Sequence, residues 1–342
     1  MAESRLIETN FFASMLREKV IRPSTRQVLV SRISGSDQEQ DLTLPPNCRG
    51  LGRVHHFRRT RGNDWLPNPL PIDPAARALG LPSQDMMKAQ LFQNAACAWR
   101  CWYCYVPFDL LAAHPARAEW ITADELVRLY TEEINPPPIL DLSGGSPDLT
   151  PEWVVWTMEA LINRGLAEST YLWSDDNLST DYLYTQLDKG ARELITSYRN
   201  YGRVCCFKGF DAASFSFNTN AESAGYERQF EIFRRYLELD IDLYGYVTLT
   251  GPDLSAVSNG VRGFVNRLRD IHDALPLRVV PLRVEQFGPT RGRDERRPRR
   301  RLALGLAVQE AAIECWIREL ERHYSTAELT LPIVDVPLRR SL

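Results

Sequence analysis

From Met86 onward the chain alternates short apolar runs with longer stretches of helical spacing, and this alternation restricts the fold more than any other feature. The apolar runs are Ala89 to Phe92, Pro138 to Leu142, Ala167 to Trp173, Arg203 to Phe207, Ile241 to Leu249 and Leu277 to Val284. Between them lie Ala123 to Ile134, Pro151 to Arg164, Asp181 to Tyr198, Ala224 to Leu239 and Leu254 to Leu275, all with helical spacing. Strand-length runs separated by helices predict parallel pairing, because a crossover helix returns the chain to the same end of the sheet. The pattern therefore reads as an open or partial β/α barrel, whose chemistry belongs at the C-terminal ends of the strands, where the variable loops begin.

The flanks read differently. Residues 1–85 are rich in Arg, Pro and Asn, carry one strand-like run at Arg26 to Ile33, and are expected to form an extension packed on a core of residues 86–290. Residues 291–342 open with the basic segment Arg291 to Arg301 and continue as an amphipathic helix from Leu302 to about His323. Its expected buried face holds Leu302, Leu306, Ile313, Ile317, Leu320 and Tyr324. Two helix starts are signalled: Thr122 with Glu125 has the form of a capping box, and Thr150 precedes Pro151 as cap and first helical residue.

With 342 residues, 44% of them hydrophobic and 25% charged, the chain has the composition of a globular protein. Its apolar runs fall short of the ~20 residues a membrane crossing requires, and its opening residues read as no targeting segment. A formal net charge of −3 neither favours nor excludes a nucleic-acid partner. Seven cysteines, three of them within eight residues, do not suit a full set of disulfides, so a reducing cytoplasm is the expected location.

Those three are Cys97, Cys101 and Cys104, in the run Cys97-Ala-Trp-Arg-Cys101-Trp-Tyr-Cys104 directly after the first strand of the alternating region. Three soft sulfur ligands in one tight loop select zinc, copper(I) or an iron–sulfur cluster. A closed zinc site wants four ligands, usually in two pairs, and none of Cys48, Cys205, Cys206 and Cys315 forms a second pair of that kind. A zinc-stabilised interaction protein without enzymatic activity is the competing reading. Three thiolates on a [4Fe-4S] cluster leave one iron open to an external ligand, whereas electron-transfer clusters use four.

The run resembles the C-x3-C-x2-C cluster motif of the radical SAM superfamily, with Tyr103 at the aromatic position before the last cysteine. The resemblance implies an α/β fold, a partial (β/α)6 TIM-like barrel with an N-terminal extension and a C-terminal helix. It also implies a [4Fe-4S] cluster that binds S-adenosyl-L-methionine and cleaves it reductively to a 5'-deoxyadenosyl radical, fed by an electron donor such as flavodoxin or ferredoxin. Gly144-Gly145-Ser146-Pro147 resembles the superfamily's GGEP-like turn, with Ser146 in place of the acidic residue and Asp148 close by. The end of the third strand, with Asp175 and Asn177, resembles a region that contacts cofactor or substrate. Phe215 to Asn220, with Ser216 and Asn218 alternating against Phe215 and Phe217, resembles the fourth-strand region that meets the cofactor. Tyr103, Gly144, Gly145, Ser146, Asp175, Asn177, Ser216 and Asn218 are thus the expected cofactor-binding residues, with no catalytic side chain singled out.

Further positions fit barrel lining as well as function: Lys208, Tyr246, Thr248, Thr250, Arg283 and Glu285. His55 and His56 beside Cys48 lack further nearby ligands, and adjacent Cys205 and Cys206 belong on opposite faces of a strand. The expected substrate is a small molecule or peptide-like. RNA or a partner protein is the alternative, since the arginines of 291–301 suit phosphate but lack interleaved aromatics.

Overall fold

The computed structural model describes residues 6–60, 67–294 and 300–338, apart from the side chains of 292–301. In chain order the strands are β1 (Ile21–Arg22), β2 (Gln27–Ser31), β3 (Gly52–Arg58), β4 (Met86–Phe92), β5 (Ala118–Thr122), β6 (Ile139–Leu142), β7 (Tyr171–Asp176), β8 (Tyr201–Phe207), β9 (Asp242–Val247) and β10 (Val279–Pro281). The helices are α1 (Thr9–Val20), α2 (Ile72–Ala78), α3 (Ala123–Glu132), α4 (Pro151–Asn163), α5 (Tyr182–Thr185), α6 (Lys189–Ser197), α7 (Ala212–Thr219), α8 (Ala224–Tyr236), α9 (Val257–Ile271), α10 (Gly288–Asp294), α11 (Arg300–His323) and α12 (Thr326–Leu329).

Seven strands form one curled sheet in the order β10-β9-β8-β7-β6-β4-β3. All its pairs are parallel except β3 on β4, which is antiparallel and runs from Gly52↔Phe92 to Arg58↔Met86. The six parallel strands coincide with the six apolar runs, so the molecule is a partial (β/α)6 barrel. A separate sheet of order β1-β2-β5 lies outside it.

Period-two alternation sorts the strand side chains into two apolar layers. Leu140, Leu142, Leu172, Cys205, Phe207, Leu243 and Val247 join the helix-covered layer. Ile139, Tyr171, Trp173, Val204, Cys206, Tyr244 and Tyr246 form the inner layer with Leu70, Ile72, Ala75 and Ala76, so α2 packs on the concave side. Cys205 and Cys206 take opposite faces.

Local signals are met in part. Thr122 caps α3, its Oγ1 accepting from the Glu125 N–H at 3.2 Å, but Glu125 does not reach back. Its carboxylate binds Arg128 instead, at 2.7 Å. Thr150 makes no cap bond; its Oγ1 accepts from Asn94 Nδ2 at 2.8 Å. The stretch Asp181 to Tyr198 divides because Asp188 caps a new start, accepting from the Ala191 N–H at 2.8 Å.

Helix α11 packs on α9 with Gly305, Val308, Ala312, Trp316 and Glu319 inward. The centre of the stripe lies about one residue, or roughly 100°, from the expected one, while Ile313 is buried as expected and Leu320 packs at its edge. Ile317, expected inside, is 49% exposed, because Trp316 takes the buried position. The basic stretch from 292 to 301 falls outside the described side chains.

Candidate active site

The cysteine loop leaves the C-terminal end of β4, and the glycine turn leaves the C-terminal end of neighbouring β6. Their backbones are bonded to each other. The Ser146 N–H donates to the Ala96 carbonyl at 2.7 Å, and the Ala98 N–H donates to Ser146 Oγ at 3.1 Å. Ser146 Oγ in turn donates to Cys97 Sγ at 3.2 Å. From the end of β7, Asn177 Nδ2 donates to Ser146 Oγ at 2.9 Å and to the Gly145 carbonyl at 3.1 Å.

Gly145 sits at φ +67°, and a Cβ there would collide with the carbonyl oxygens of Asn94 and Ala96, so only glycine permits this approach. Gly144, at φ +81°, lies against the Gln93 side chain. Cys97, Gly145, Ser146 and Asn177 therefore form one knot across three strand ends, buried except at the partly exposed Gly145. Asp148 does not enter it; Asp148 Oδ2 accepts from the Ser179 N–H at 3.0 Å and from Ser179 Oγ.

The loop is braced from behind. Trp99 is buried edge-on against Phe215, centroids 5.2 Å apart, and donates to Thr9 Oγ1 at 3.2 Å. Arg100 Nη1 donates to the carbonyls of Cys97 and Trp99 at 2.7 and 2.8 Å. The Trp102 N–H donates to the Asn218 carbonyl at 3.2 Å.

The expected strand at Phe215 to Asn220 is corrected here. Residues Ala212–Thr219 are helix α7, and Asp211 with Ser214 makes its capping box. The apolar and polar residues read as alternating are instead spaced along a helix, with Phe215 and Asn218 buried one turn apart. Asn218 is a brace: its Nδ2 donates to the Lys208 and Thr250 carbonyls at 2.8 and 3.0 Å. Its Oδ1 accepts from Trp102 Nε1 at 3.2 Å and Thr250 Oγ1 at 2.5 Å. Ser216 lies on the same helix with a buried Oγ that meets no partner.

Cys97 and Cys101 are each 7% exposed and Cys104 is partly open. No cysteine is disulfide-bonded. Burial raises the Cys97 thiol and pushes Cys101 up to about 12, while Lys208 opposes the rise at Cys101. Lys208, at the end of β8, lies within electrostatic reach of Cys97, Cys101, Tyr103 and Cys206. Tyr103 shares a hydrogen bond of 3.0 Å with Thr248 Oγ1 at the end of β9. Among the described residues, no three His, Cys, Asp or Glu side chains converge on a single metal-ion position, and His55 and His56 make no such group with Cys48.

Asp175 is set apart from the thiol knot, on the inner face, where its Oδ2 accepts from Ser143 Oγ at 2.5 Å. Burial pushes its carboxyl up to about 6. Beside it stand residues the sequence did not mark: Asp141 on β6, Arg53 on β3, Gln93 after β4, and Tyr105. Asp141 was detectable as a carboxylate inside an apolar strand. Arg53 carried no signal, since β3 joins β4 across a long stretch of chain.

The fold and site define a partial β/α barrel with a three-cysteine loop and a glycine turn joined at the C-terminal ends of adjacent strands. No protein-family model matches the chain, and no curated protein matches it. Among solved structures it is similar to SuiB of Streptococcus suis bound to S-adenosylmethionine, with 12% identity over 52% of this chain and 37% of that one, TM-score 0.37. It is similar to SuiB bound to its precursor peptide SuiA, with 11% identity over 56% and 48%, TM-score 0.36. It is also similar to OxsB, a cobalamin-dependent S-adenosylmethionine radical enzyme with aqua-cobalamin and S-adenosylmethionine bound, with 11% identity over 71% and 37%, TM-score 0.34. The chain spans less than half the length of each of these structures.

Proposed function

We propose that this protein is a radical S-adenosylmethionine enzyme acting on a small-molecule or peptide-like substrate. The observation that carries the reading is the bonding of the Cys97 to Cys104 loop to the Gly144 to Pro147 turn through Ser146, at the C-terminal ends of the first two parallel strands.

The donor set fits a [4Fe-4S] cluster on Cys97, Cys101 and Cys104. Burial disfavours free thiolates at Cys97 and Cys101, and a cationic iron centre offsets that cost. The hydroxyl of Ser146 points its proton at Cys97 sulfur, which suits a thiolate acceptor. When bound, such a cluster supplies an iron open to S-adenosylmethionine and one electron for its sulfonium, giving methionine and a 5'-deoxyadenosyl radical.

The chain's own groups have separable tasks in this reading. Gly144 and Gly145 let the turn close on Gln93 and on the Asn94 and Ala96 carbonyls beside the thiols, and Asn177 fixes that turn. Lys208 counters the negative charge gathered by the sulfurs. A flavodoxin- or ferredoxin-like donor in a reducing cytoplasm completes the proposal. No helix among the described residues is long and apolar enough to cross a membrane.

Anaerobic reconstitution tests the assignment. About four iron and four sulfide per chain, with dithionite-dependent release of 5'-deoxyadenosine, are expected. Cys101→Ala should lose both. Stoichiometric zinc without cofactor cleavage, or a Cys101→Ala protein that keeps both properties, overturns it.

A further inference from the structure

Strand register brings a group of polar residues together on the concave face. Arg53 pairs with Leu91, and Leu91 with Asp141, so Arg53 and Asp141 flank one position of β4. One step toward the mouth, the Phe92↔Leu142 and Leu142↔Ser174 pairs set Gln93, Ser143 and Asp175 side by side. Tyr105, next to Cys104 in the chain, accepts a hydrogen bond from Arg53 and so ties this group to the thiol loop.

Four polar atoms in this group are buried without a partner: Asp141 Oδ1, Gln93 Nε2, Gln38 Oε1 and Arg53 Nε. Gln38 belongs to it because its Nε2 donates to Gln93 Oε1 at 3.4 Å. Their residues are at most 6% exposed. Unpaired buried polar atoms are rare and costly, and four around one inner surface mark a place made for a polar ligand. Two are acceptors and two are donors.

The charges decide what the ligand carries. Asp141 and Asp175 stand on adjacent strands, and among the described residues neither forms a salt bridge. Arg53 gives its Nη hydrogen bonds to Tyr105 and, at 3.2 Å, to His55 Nδ1 rather than to either carboxyl; its charge still acts on both, and that of Lys208 on Asp175. Burial, and then the neighbouring Asp175, raises the Asp141 carboxyl well above the usual range. A cation between the two carboxyls favours the ionised form of both. Below them Tyr171, Trp173 and Tyr244, with Ile72 and Ala75 of α2, close the lumen with apolar surface.

We propose that this inner surface binds the protonated amine of a polar substrate between Asp141 and Asp175, with Gln93 donating to an oxygen of the same molecule. The proposal deepens the radical-enzyme reading and rests on it for the word substrate. The binding itself uses no thiol.

The test is thermal unfolding of the reconstituted holoprotein with 5-amino-1-pentanol, 1-pentanol or glutarate. At saturation the amino alcohol should raise Tm by about 2–4 °C, whereas pentanol and glutarate leave it unchanged. In Asp141→Asn and in Asp175→Asn the shift should fall by at least half. Calorimetric titration of the unmodified protein with the same three compounds gives the selectivity without any variant. No amine-specific shift or heat, a shift in either variant as large as the parent's, or preference for glutarate overturns the proposal. Iron and sulfide analysis of the same samples keeps the two readings apart. A zinc-loaded protein that binds the amine sinks the radical chemistry alone, and an iron-loaded, cofactor-cleaving protein blind to the amine sinks this inference alone.

Discussion

Ser146 shows how one side chain organises a site. Its hydroxyl serves the Cys97 sulfur, the Ala98 N–H and the Asn177 amide at once, in a pocket with no solvent exposure. Ser146→Ala leaves the buried Ala98 N–H without an acceptor and takes one of two acceptors from Asn177 Nδ2, an expected loss of about 1–3 kcal/mol. A lower urea midpoint with an unchanged m-value would register it, and a midpoint within error of the parent would count against the knot. The residue was visible in sequence only as a departure from an acidic position. Its partners are 48, 49 and 31 positions away, so their convergence depends on the β4, β6 and β7 ends lying side by side.

At the scale of elements, propensity and patterning located the six parallel strands and the helix spans between them, and failed where packing chose the outcome. Phe215 to Asn220 alternates as a strand does, but the Asp211–Ser214 capping box and the burial of Phe215 with Asn218 make it helical. Helix α11 was expected from its periodicity, while its rotation was settled by Trp316, which is 2% exposed and packs on Phe264 at 5.9 Å. Trp316→Ala should cost about 3–5 kcal/mol, because a large ring leaves a cavity between α11 and α9. Equilibrium denaturation measures this. Ile317→Ala, on the exposed side, should cost under about 1 kcal/mol.

For the whole molecule, the buried inner carboxyls set a pH dependence. An ordinary aspartate titrates near 3.8, whereas Asp175 is pushed up to about 6 by burial. Between those values the native protein keeps a proton that the unfolded chain has lost, so this residue lowers stability progressively as pH rises from about 4 to 6. Asp175→Asn removes the effect. Its stability relative to the parent should grow over that interval by on the order of 1–3 kcal/mol, as read from urea midpoints at successive pH values. A constant difference would mean that Asp175 titrates normally. The sequence by itself determined the βα alternation, the parallel sheet it requires and the three-thiol loop after the first strand, because these rest on periodicity and on spacings of a few residues. Only the tertiary structure decided that β3 closes on β4, that α2 packs on the concave face, and that Arg53, Gln93, Asp141 and Asp175 share one inner surface. Those contacts join residues far apart in the chain, and their register follows from which side chains fit together, a property no local stretch encodes.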